Sequence, residues 1–203
     1  MKAGSGGVVS RLATRADLVA VTETISLAFH DDPTWSWAFP DPLRRQEQYA
    51  VFWRFIIAGA LRYPWVLMTQ GCEAASVWIL PGGTEIPPED EAQVLPLLEE
   101  LVGERAGEVM ELLDRFEAAH PRNEPHYYLS LLGTHPSHTG RGIGMGLLAE
   151  NLARIERERM PAYLESSNPA NNHRYQRYGF EEISEFYPRG GTTPVTTMWR
   201  AAE

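Results

Sequence analysis

The fold of this chain is decided by residues 132–146, which read LGTHPSHTGRGIGMG. An apolar strand ends at Pro136, and a helix begins after a turn that contains several glycines. Glycine lets the backbone approach a ligand closely, and the N–H groups of the first helical turn are unpaired and carry the positive end of the helix dipole. The stretch therefore predicts a cradle for a diphosphate or a similar anion.

The spacing of these glycines separates the stretch from two common phosphate loops. No Lys-Ser or Lys-Thr pair follows them, as the loop of nucleotide triphosphatases requires. The run Gly140-x-Gly142-x-Gly144 lacks the Rossmann spacing, and its strand lies past the middle of the chain. The stretch resembles instead motif A of the GNAT acetyltransferases, in which Gln or Arg, two residues, Gly, one residue and Gly or Ala follow each other. Thr139 stands where Gln or Arg is usual.

A second motif begins 24 residues after Gly144, where residues 168–180 read NPANNHRYQRYGF. It resembles GNAT motif B, with Asn168, then Tyr175 seven residues later, then Gly179-Phe180. Each motif follows an apolar strand, so the two in this order are a far more specific signal than either alone. Nearly the whole chain resembles the group formed by puromycin N-acetyltransferase and its relatives, and the match is loosest over residues 31–40.

The resemblance implies the GNAT fold, of α/β (α+β) class. We expect a mixed and mostly antiparallel central sheet of six to seven strands, splayed between the fourth and fifth strands, with flanking helices. We expect one domain over residues 1–203, with a flexible tail at 1–7 and an acidic helical insertion at 85–122. The aromatic stretch at 34–40 follows Pro33 and ends at Pro40, and these two prolines predict a loop.

Composition and charge narrow the class of protein. The 203 residues suit one domain, and no apolar run is long enough for a membrane span or a signal peptide, so we expect a cytoplasmic protein that does not bind membranes. The net charge of −9 arises at 85–117, where eleven acids face two bases, while the remainder has sixteen of each. Without a basic stripe, nucleic acid is not an expected partner. Cys72 is the single cysteine, which excludes an intrachain disulfide, and we expect no metal site and a monomer or homodimer.

The resemblance implies acetyl-CoA as the acetyl donor. Backbone groups at the end of the fourth strand would pair with the pantetheine arm, and the glycine turn would hold the diphosphate, with Arg141 as a surface counter-charge. Asn168 would bond the pantetheine arm or brace its loop, and it has an equal claim as a helix N-cap. The expected cofactor-binding residues are Leu132, Gly133, Thr134, Thr139, Gly140, Arg141, Gly142, Ile143, Gly144 and Asn168.

Transfer to an amine needs a proton donor for the departing thiolate and a base for the nucleophile. Tyr175 matches the family's general acid, because a phenol with a pKa near ~10 stays protonated. Glu165, in the apolar fifth strand, is the leading side-chain candidate for the base, since a carboxylate there must be paired or raised in pKa. His126, the acids at 31–32 and a water relay stay open as alternatives, and a backbone N–H of Gly133 or Thr134, at a strand bulge, is the expected oxyanion donor.

The acceptor site is expected at residues 31–40. Asp31 and Asp32 suit a cationic amine, and Trp35 and Trp37 offer ring surface, although these rings have an equal claim as packing between helices. The resulting hypothesis is an N-acetyltransferase acting on a primary amine of a small molecule, antibiotic-like or a metabolite, by direct attack in a ternary complex. The alternatives are acetylation of a protein or peptide N-terminus or lysine, and a non-catalytic acyl-CoA-binding module.

Overall fold

A computed structural model describes residues 8–202, so the tail expected at 1–7 lies outside the described residues. The described chain forms one seven-stranded sheet in the order β1-β2-β3-β4-β5-β7-β6. Its strands are β1 (Ser10–Leu12), β2 (Val66–Thr69), β3 (Ala74–Ile79), β4 (Tyr127–Thr134), β5 (Ala162–Ser166), β6 (Glu181–Phe186) and β7 (Val195–Arg200). The expected strands are therefore present, with ends that differ by a few residues.

The sheet is splayed between its two central strands. Every neighbouring pair is antiparallel except β4 and β5, which run parallel. Their pairing covers only residues 127–129 of β4 and 162–164 of β5. From Ser130 to Thr134, β4 pairs with β3 alone, so the side of its backbone that faces β5 is open. The mixed, mostly antiparallel and splayed sheet is confirmed.

Helices cover both faces of the sheet. They are α1 (Leu18–Ala28), α2 (Pro33–Ala38), α3 (Arg45–Ala60), α4 (Val94–Val102), α5 (Ala106–Ala119), α6 (Ile143–Arg157) and α7 (Asn172–Gln176). Helices α1 to α5 enclose an aromatic-rich core on one face, while α6 packs its apolar side on the other. Buried Asn151 of α6 accepts hydrogen bonds from the Ser76 hydroxyl and the Trp78 indole, which satisfies its carbonyl oxygen. None of the helices in the described residues is long and apolar enough to cross a membrane.

The aromatic stretch after α1 was expected to be a loop, and that expectation is wrong. Its residues form α2, because Asp32 caps the helix by accepting hydrogen bonds from the backbone N–H groups of Thr34 and Trp35. Pro33 then occupies the first helical position, where its fixed φ is favourable and its missing N–H costs nothing. The expectation of a loop was wrong because Pro33 was taken to break a helix, whereas it stands at the first position of one.

The acidic segment contains two helices, α4 and α5. Gly103 separates them with a φ of +58°, a backbone conformation that favours glycine. Both helices bury apolar side chains against the core beside α2 and α3 and expose their charges. The acidic segment therefore covers the same face of the sheet as α1 to α3, beside the gap between β4 and β5.

Candidate functional site

A cavity of about 720 Å³ lies between the splayed strands and the helices on the α1–α5 face. Its floor consists of residues 128–132 of β4 and 164–166 of β5, and its walls come from α1 to α5. Trp35, Phe52, Trp53 and Phe116 supply aromatic surface. The volume suits a small organic molecule, and the mixture of apolar wall and few polar groups is typical of ligand sites.

The polar lining of this cavity is strongly acidic. Seven acidic residues line it, against one arginine, Arg122, and one histidine, His120. Two of the acids, Asp31 and Asp32, were expected at an acceptor site. The other five are Glu85, Glu91, Asp114, Glu117 and Glu165. A cationic ligand is favoured in such surroundings because low-dielectric walls strengthen its attraction to the carboxylates.

Glu165 presents a buried carboxyl group to the cavity from the point where β5 leaves β4. Its side chain is only 2% exposed, and its Oε1 atom has no hydrogen-bond partner among the described residues. The nearest basic group, His120 Nδ1, lies 3.9 Å from that atom. Burial raises the pKa of Glu165 to about 8, although the hydroxyls of Tyr128 and Tyr163 favour the ionised form. Near neutral pH this carboxyl group is able to exchange a proton.

Glu85 is an acidic site residue that the sequence reasoning missed. It enters the cavity from the loop after β3, and its carboxylate accepts a hydrogen bond from the hydroxyl of Ser130 in β4. Burial raises the pKa of Glu85, and the hydrogen bond from Ser130 opposes that shift. Because Glu85 stands in a loop without periodicity, no pattern in the sequence placed it beside the central strand.

The bulge in β4 lies at Ser130, not at Gly133 or Thr134 as expected. Val77 pairs with Leu131 and Trp78 with Leu129, so Ser130 is the extra residue. Residues 133 and 134 instead continue the regular ladder with β3. The bulge therefore turns β4 away from β5 where the cavity begins, and it places Ser130 opposite Glu85.

Tyr175 lines the same cavity from α7, on the far side of β5. Its ring packs edge-on against Phe180, with 6.2 Å between the ring centroids. Within the described chain its hydroxyl makes no hydrogen bond, which leaves it available to a ligand. Burial, with a smaller contribution from the charge of Asp32, raises the pKa of Tyr175 to about 12. The phenol therefore remains protonated at physiological pH.

The four residues expected to bind the acceptor occupy different environments. Asp31 is at the cavity edge with a side chain that is 92% exposed, whereas Asp32 is buried. Trp35 lines the cavity and stacks on Phe116, with 5.8 Å between centroids. The structure does not place Trp37 in the cavity. Its ring packs instead under the Arg105 guanidinium, 5.1 Å from the ring centroid.

The end of β4 has an open edge and a close helix contact. Leu132 lines the cavity. Gly133 packs against α1 so closely that a Cβ atom there would lie 2.9 Å from atoms of Ile25 and Ala28. Thr134 occupies a similar position towards α6, because a Cβ on Gly144 would lie 2.3 Å from its Oγ1 atom. These glycines bring α1 and α6 against the strand without covering its open edge.

The glycine turn forms the start of α6. Gly142 is the N-cap with a φ of +73°, and Gly140 has a φ of +75°. The first helical hydrogen bond runs from the Gly146 N–H to the Gly142 carbonyl, at 2.8 Å. The N–H groups of Ile143 and the two residues after it consequently lack helical partners and carry the positive end of the helix dipole. A Cβ at position 140 or 142 would meet no atom within 4 Å, so the space above the turn is open.

Three further residues expected at the cofactor site make local hydrogen bonds. The Thr139 hydroxyl donates to the Pro136 carbonyl at 2.9 Å, so it closes the turn. Asn168 caps the short 3-10 turn after β5 by accepting from the Ala170 N–H at 3.1 Å, and it also lines the cavity. Arg141 is exposed beside the turn, where its guanidinium group lies 3.5 Å from Nδ1 of His138.

These features fit acetyl-CoA by their chemistry. The unpaired edge of residues 130–134 suits the amides of pantetheine, and the free N–H groups at the start of α6 suit a diphosphate. The open edge runs from the cavity at Leu132 to Thr134, which packs against the first turn of α6. A molecule lying along this edge would join the cavity to the glycine turn.

Comparisons with known proteins give the same fold. Residues 99–182, less than half of the chain, match the family model described as an acetyltransferase (GNAT) domain. A Corynebacterium glutamicum structure described as histone acetyltransferase HPA2 and related acetyltransferase is 21% identical, with 97% of each chain covered and a TM-score of 0.70. The region that matches the family model, residues 99–182, contains β4, the glycine turn and α7.

Two insect enzymes share the architecture at lower identity. Arylalkylamine N-acetyltransferase 2 from Aedes aegypti is 13% identical, with 96% of this chain and 99% of that chain covered and a TM-score of 0.66. Drosophila melanogaster polyamine N-acetyltransferase, which catalyses the formation of N-acetylagmatine, is 16% identical, with 95% and 99% covered and a TM-score of 0.63. Together with the splayed seven-stranded sheet, these similarities show that the chain has the GNAT fold.

Proposed function

We propose that this protein is a GNAT acetyltransferase that transfers an acetyl group from acetyl-CoA to a primary amine of a small molecule. The observation that supports it most is the presence of Glu165 and Tyr175 in one cavity at the splay of β4 and β5. One group can accept a proton near neutral pH and the other holds a proton ready to donate. The GNAT family model over residues 99–182 supports the same reaction.

The chain's own residues have separate tasks in this proposal. Acetyl-CoA supplies the thioester, and the backbone of residues 132–134 and the amides at Thr139–Gly144 hold its arm and its diphosphate. The Glu165 carboxylate takes a proton from the attacking amine at Oε1, the atom without a partner. The Tyr175 hydroxyl gives its proton to the departing sulfur. Direct attack in a ternary complex follows, because the cavity and the open strand edge adjoin each other.

The shape of the partly enclosed cavity favours a small molecule over a protein chain as the acceptor. Seven aromatic side chains and the α4–α5 wall line it, whereas a peptide substrate would call for an open groove beside β4 and β5. The acetyltransferases of arylalkylamines and polyamines share the fold. Asp31, Asp32 and Trp35 contribute to this acceptor site. The resemblance to the puromycin N-acetyltransferase group agrees with a small amine as the acceptor. It does not indicate which amine, because it is loosest over residues 31–40.

A thiol-release assay with acetyl-CoA and a panel of primary amines tests the proposal. We expect at least one small amine to give thiol release that depends on both substrates, and mass spectrometry to show a product 42 Da heavier, the mass of an added acetyl group. Silence across the panel, together with tight CoA binding, would support the non-catalytic acyl-CoA-binding alternative. Acetylation of peptides but of no small amine would support the protein-directed alternative.

A further inference from the structure

Three carboxyl groups lie near one another on the α4–α5 side of the cavity. Glu165 projects from β5, Glu85 from the loop after β3, and Glu117 from α5. Burial and the charges of Glu85 and Glu117 all raise the pKa of Glu165, so the three groups lie within range of each other's charge. One carboxylate is enough to accept the proton of an attacking amine, and the mechanism leaves the other two without a task.

The basic and polar groups around these carboxyls do not neutralise them. Arg122 pairs with Glu117, but both side chains are mostly exposed, where such a pair is weak. His120 lies 3.9 Å from Glu165, and burial and its neighbour His126 lower the pKa of His120 to about 4, so it is uncharged at neutral pH. Tyr128, Tyr163 and Ser130 are the remaining facing hydroxyls and add no positive charge.

A second observation points to a ligand. Glu165 Oε1 belongs to a side chain that is 2% exposed, lines the cavity and finds no hydrogen-bond partner in the described part of the chain. A buried oxygen of this kind costs about 1–3 kcal/mol unless a donor satisfies it. The missing donor is expected to come from whatever enters the cavity.

From this arrangement we infer that the acceptor is a small dication, whose reacting amine lies at Glu165 and whose second cationic group is bound by Glu85 and Glu117. The inference rests on the proposed function and specifies its substrate class: an aliphatic diamine, a polyamine or an amine with a guanidinium group. Glu85 is the inner contact, held in place by Ser130, and Glu117 is the outer contact, where the second cation competes with Arg122. The aromatic wall of Trp35, Trp53 and Phe116 contacts the chain between the two charges.

The test compares amines of equal length with one or two charges. Acetyl transfer is measured for 1,4-diaminobutane, its longer homologue 1,6-diaminohexane, their monoamine analogues 1-aminobutane and 1-aminohexane, and 2-phenylethylamine. We expect kcat/KM for the better diamine to exceed that of its monoamine by about ten- to a hundredfold, the range for one charge-assisted contact in a desolvated site. A ratio near one, or a preference for 2-phenylethylamine, would overturn the inference.

Two matched substitutions locate the second cationic site. Glu85→Gln keeps the size of the side chain and an acceptor for Ser130 but removes the charge, so we expect the diamine-to-monoamine ratio to fall towards one. Glu100→Gln removes an exposed charge from α4, outside the cavity lining, and should leave the ratio unchanged. If Glu85→Gln instead removes turnover of both amines equally, Glu85 acts on the reacting amine and the second-cation assignment is wrong.

Binding measurements separate this inference from the proposed function. Isothermal titration of 1,4-diaminobutane and 1-aminobutane into the full chain reports the second cationic site without acetyl transfer. A diamine preference that Glu85→Gln abolishes, in a protein that acetylates none of the amines, would keep the dication site and refute the acetyltransferase. Acetyl transfer to all of the amines, with equal affinity for 1,4-diaminobutane and 1-aminobutane, would support the acetyltransferase and refute the dication site.

Discussion

The hydroxyl of Ser167 donates a hydrogen bond of 2.7 Å to the carboxylate of Asp32, across 135 residues of sequence. The same carboxylate accepts the backbone N–H groups of Thr34 and Trp35, at 3.0 and 3.1 Å. Asp32 therefore fastens the first turn of α2 to Ser167, which follows β5 directly and stands two residues after Glu165. The aromatic wall of the cavity and its central carboxyl group are held in register by this one side chain.

Removal of this connection should destabilise the protein. We expect Asp32→Ala to lower the free energy of unfolding by about 2–4 kcal/mol, because it deletes a helix cap and leaves buried N–H and hydroxyl donors unpaired. Asp31→Ala is the matched control, since that side chain is 92% exposed and its one hydrogen bond among the described residues is with His30. Denaturant unfolding of the two variants measures the difference. Equal stabilities would show that Asp32 does not anchor α2.

Tyr175 should contribute to turnover rather than to cofactor affinity. We expect Tyr175→Phe to lower kcat by about 10²–10⁴-fold, the usual contribution of a positioned proton donor. The ring still packs on Phe180, so the dissociation constant for CoA should change by less than about twofold. Steady-state kinetics and calorimetric titration with CoA measure the two effects. An unchanged kcat would remove Tyr175 from the role of general acid.

The sequence predicted the strands and the mixed, splayed sheet well because the signals for them are local. The glycine turn, the apolar strands and the second motif each carry their own pattern over a few adjacent residues. Asn168 was assigned either to the cofactor or to a helix N-cap, and the structure shows that its side chain makes the cap. Such local hydrogen bonds depend on neighbours in the sequence, and so they are accessible to pattern reasoning.

The contacts that complete the cavity were not accessible in this way. The hydrogen bond from Ser130 to Glu85 joins a strand to a loop 45 residues earlier, and the Ser167–Asp32 bond joins residues that are 135 positions apart in the sequence. Neither residue pair follows a helical or strand period. Trp37 is a different case. Its place in an aromatic stretch suggested either a ligand wall or packing between helices, and in the structure its ring packs under the Arg105 guanidinium. Long-range packing sets these positions, and periodicity contains no information about it.

Glu165 should give the reaction a characteristic pH dependence. Its pKa is raised to about 8, and only the ionised carboxylate accepts a proton, so kcat/KM should rise with pH up to about 8 and level off above it. Glu165→Gln should remove that inflection and lower kcat. An inflection that persists in the variant would belong to the amine substrate or to another base. A substrate amine that titrates well above pH 9 keeps the two inflections apart.

Ionisation of Glu165 should raise the activity but lower the stability of the folded protein. Because the folded-state pKa of Glu165 lies above its ordinary value of 4.5, the folded state holds this proton more tightly than the unfolded state does. Its contribution to stability is therefore present below about pH 4.5 and is lost as pH rises towards 8. We expect Glu165→Gln to be more stable than the parent protein at pH 8, by on the order of 3 kcal/mol, with a smaller difference at pH 5. Thermal unfolding at the two pH values checks the sign.

The glycine turn before α6 offers a test of diphosphate binding, with a positive-φ glycine outside the turn as the control. Gly142 and Gly103 both have positive φ, +73° and +58°, and a Cβ at either position would meet no atom within 4 Å. Gly142 has a ψ of +11° and lies in the left-handed helical region, so alanine there should cost ~1–2 kcal/mol of stability. Gly103 has a ψ of −127°, a conformation that is almost confined to glycine, so Gly103→Ala should cost at least as much.

The two variants should differ in CoA binding. Gly142→Ala alters the backbone that aims the free N–H groups of α6, so we expect CoA affinity to fall by at least about tenfold while pantetheine, which lacks the diphosphate, loses little. Gly103→Ala lies between α4 and α5 and should bind both ligands as the parent protein does. If the parent protein binds CoA and pantetheine with equal affinity, the turn does not hold the diphosphate, because the two ligands differ in the part that would contact it.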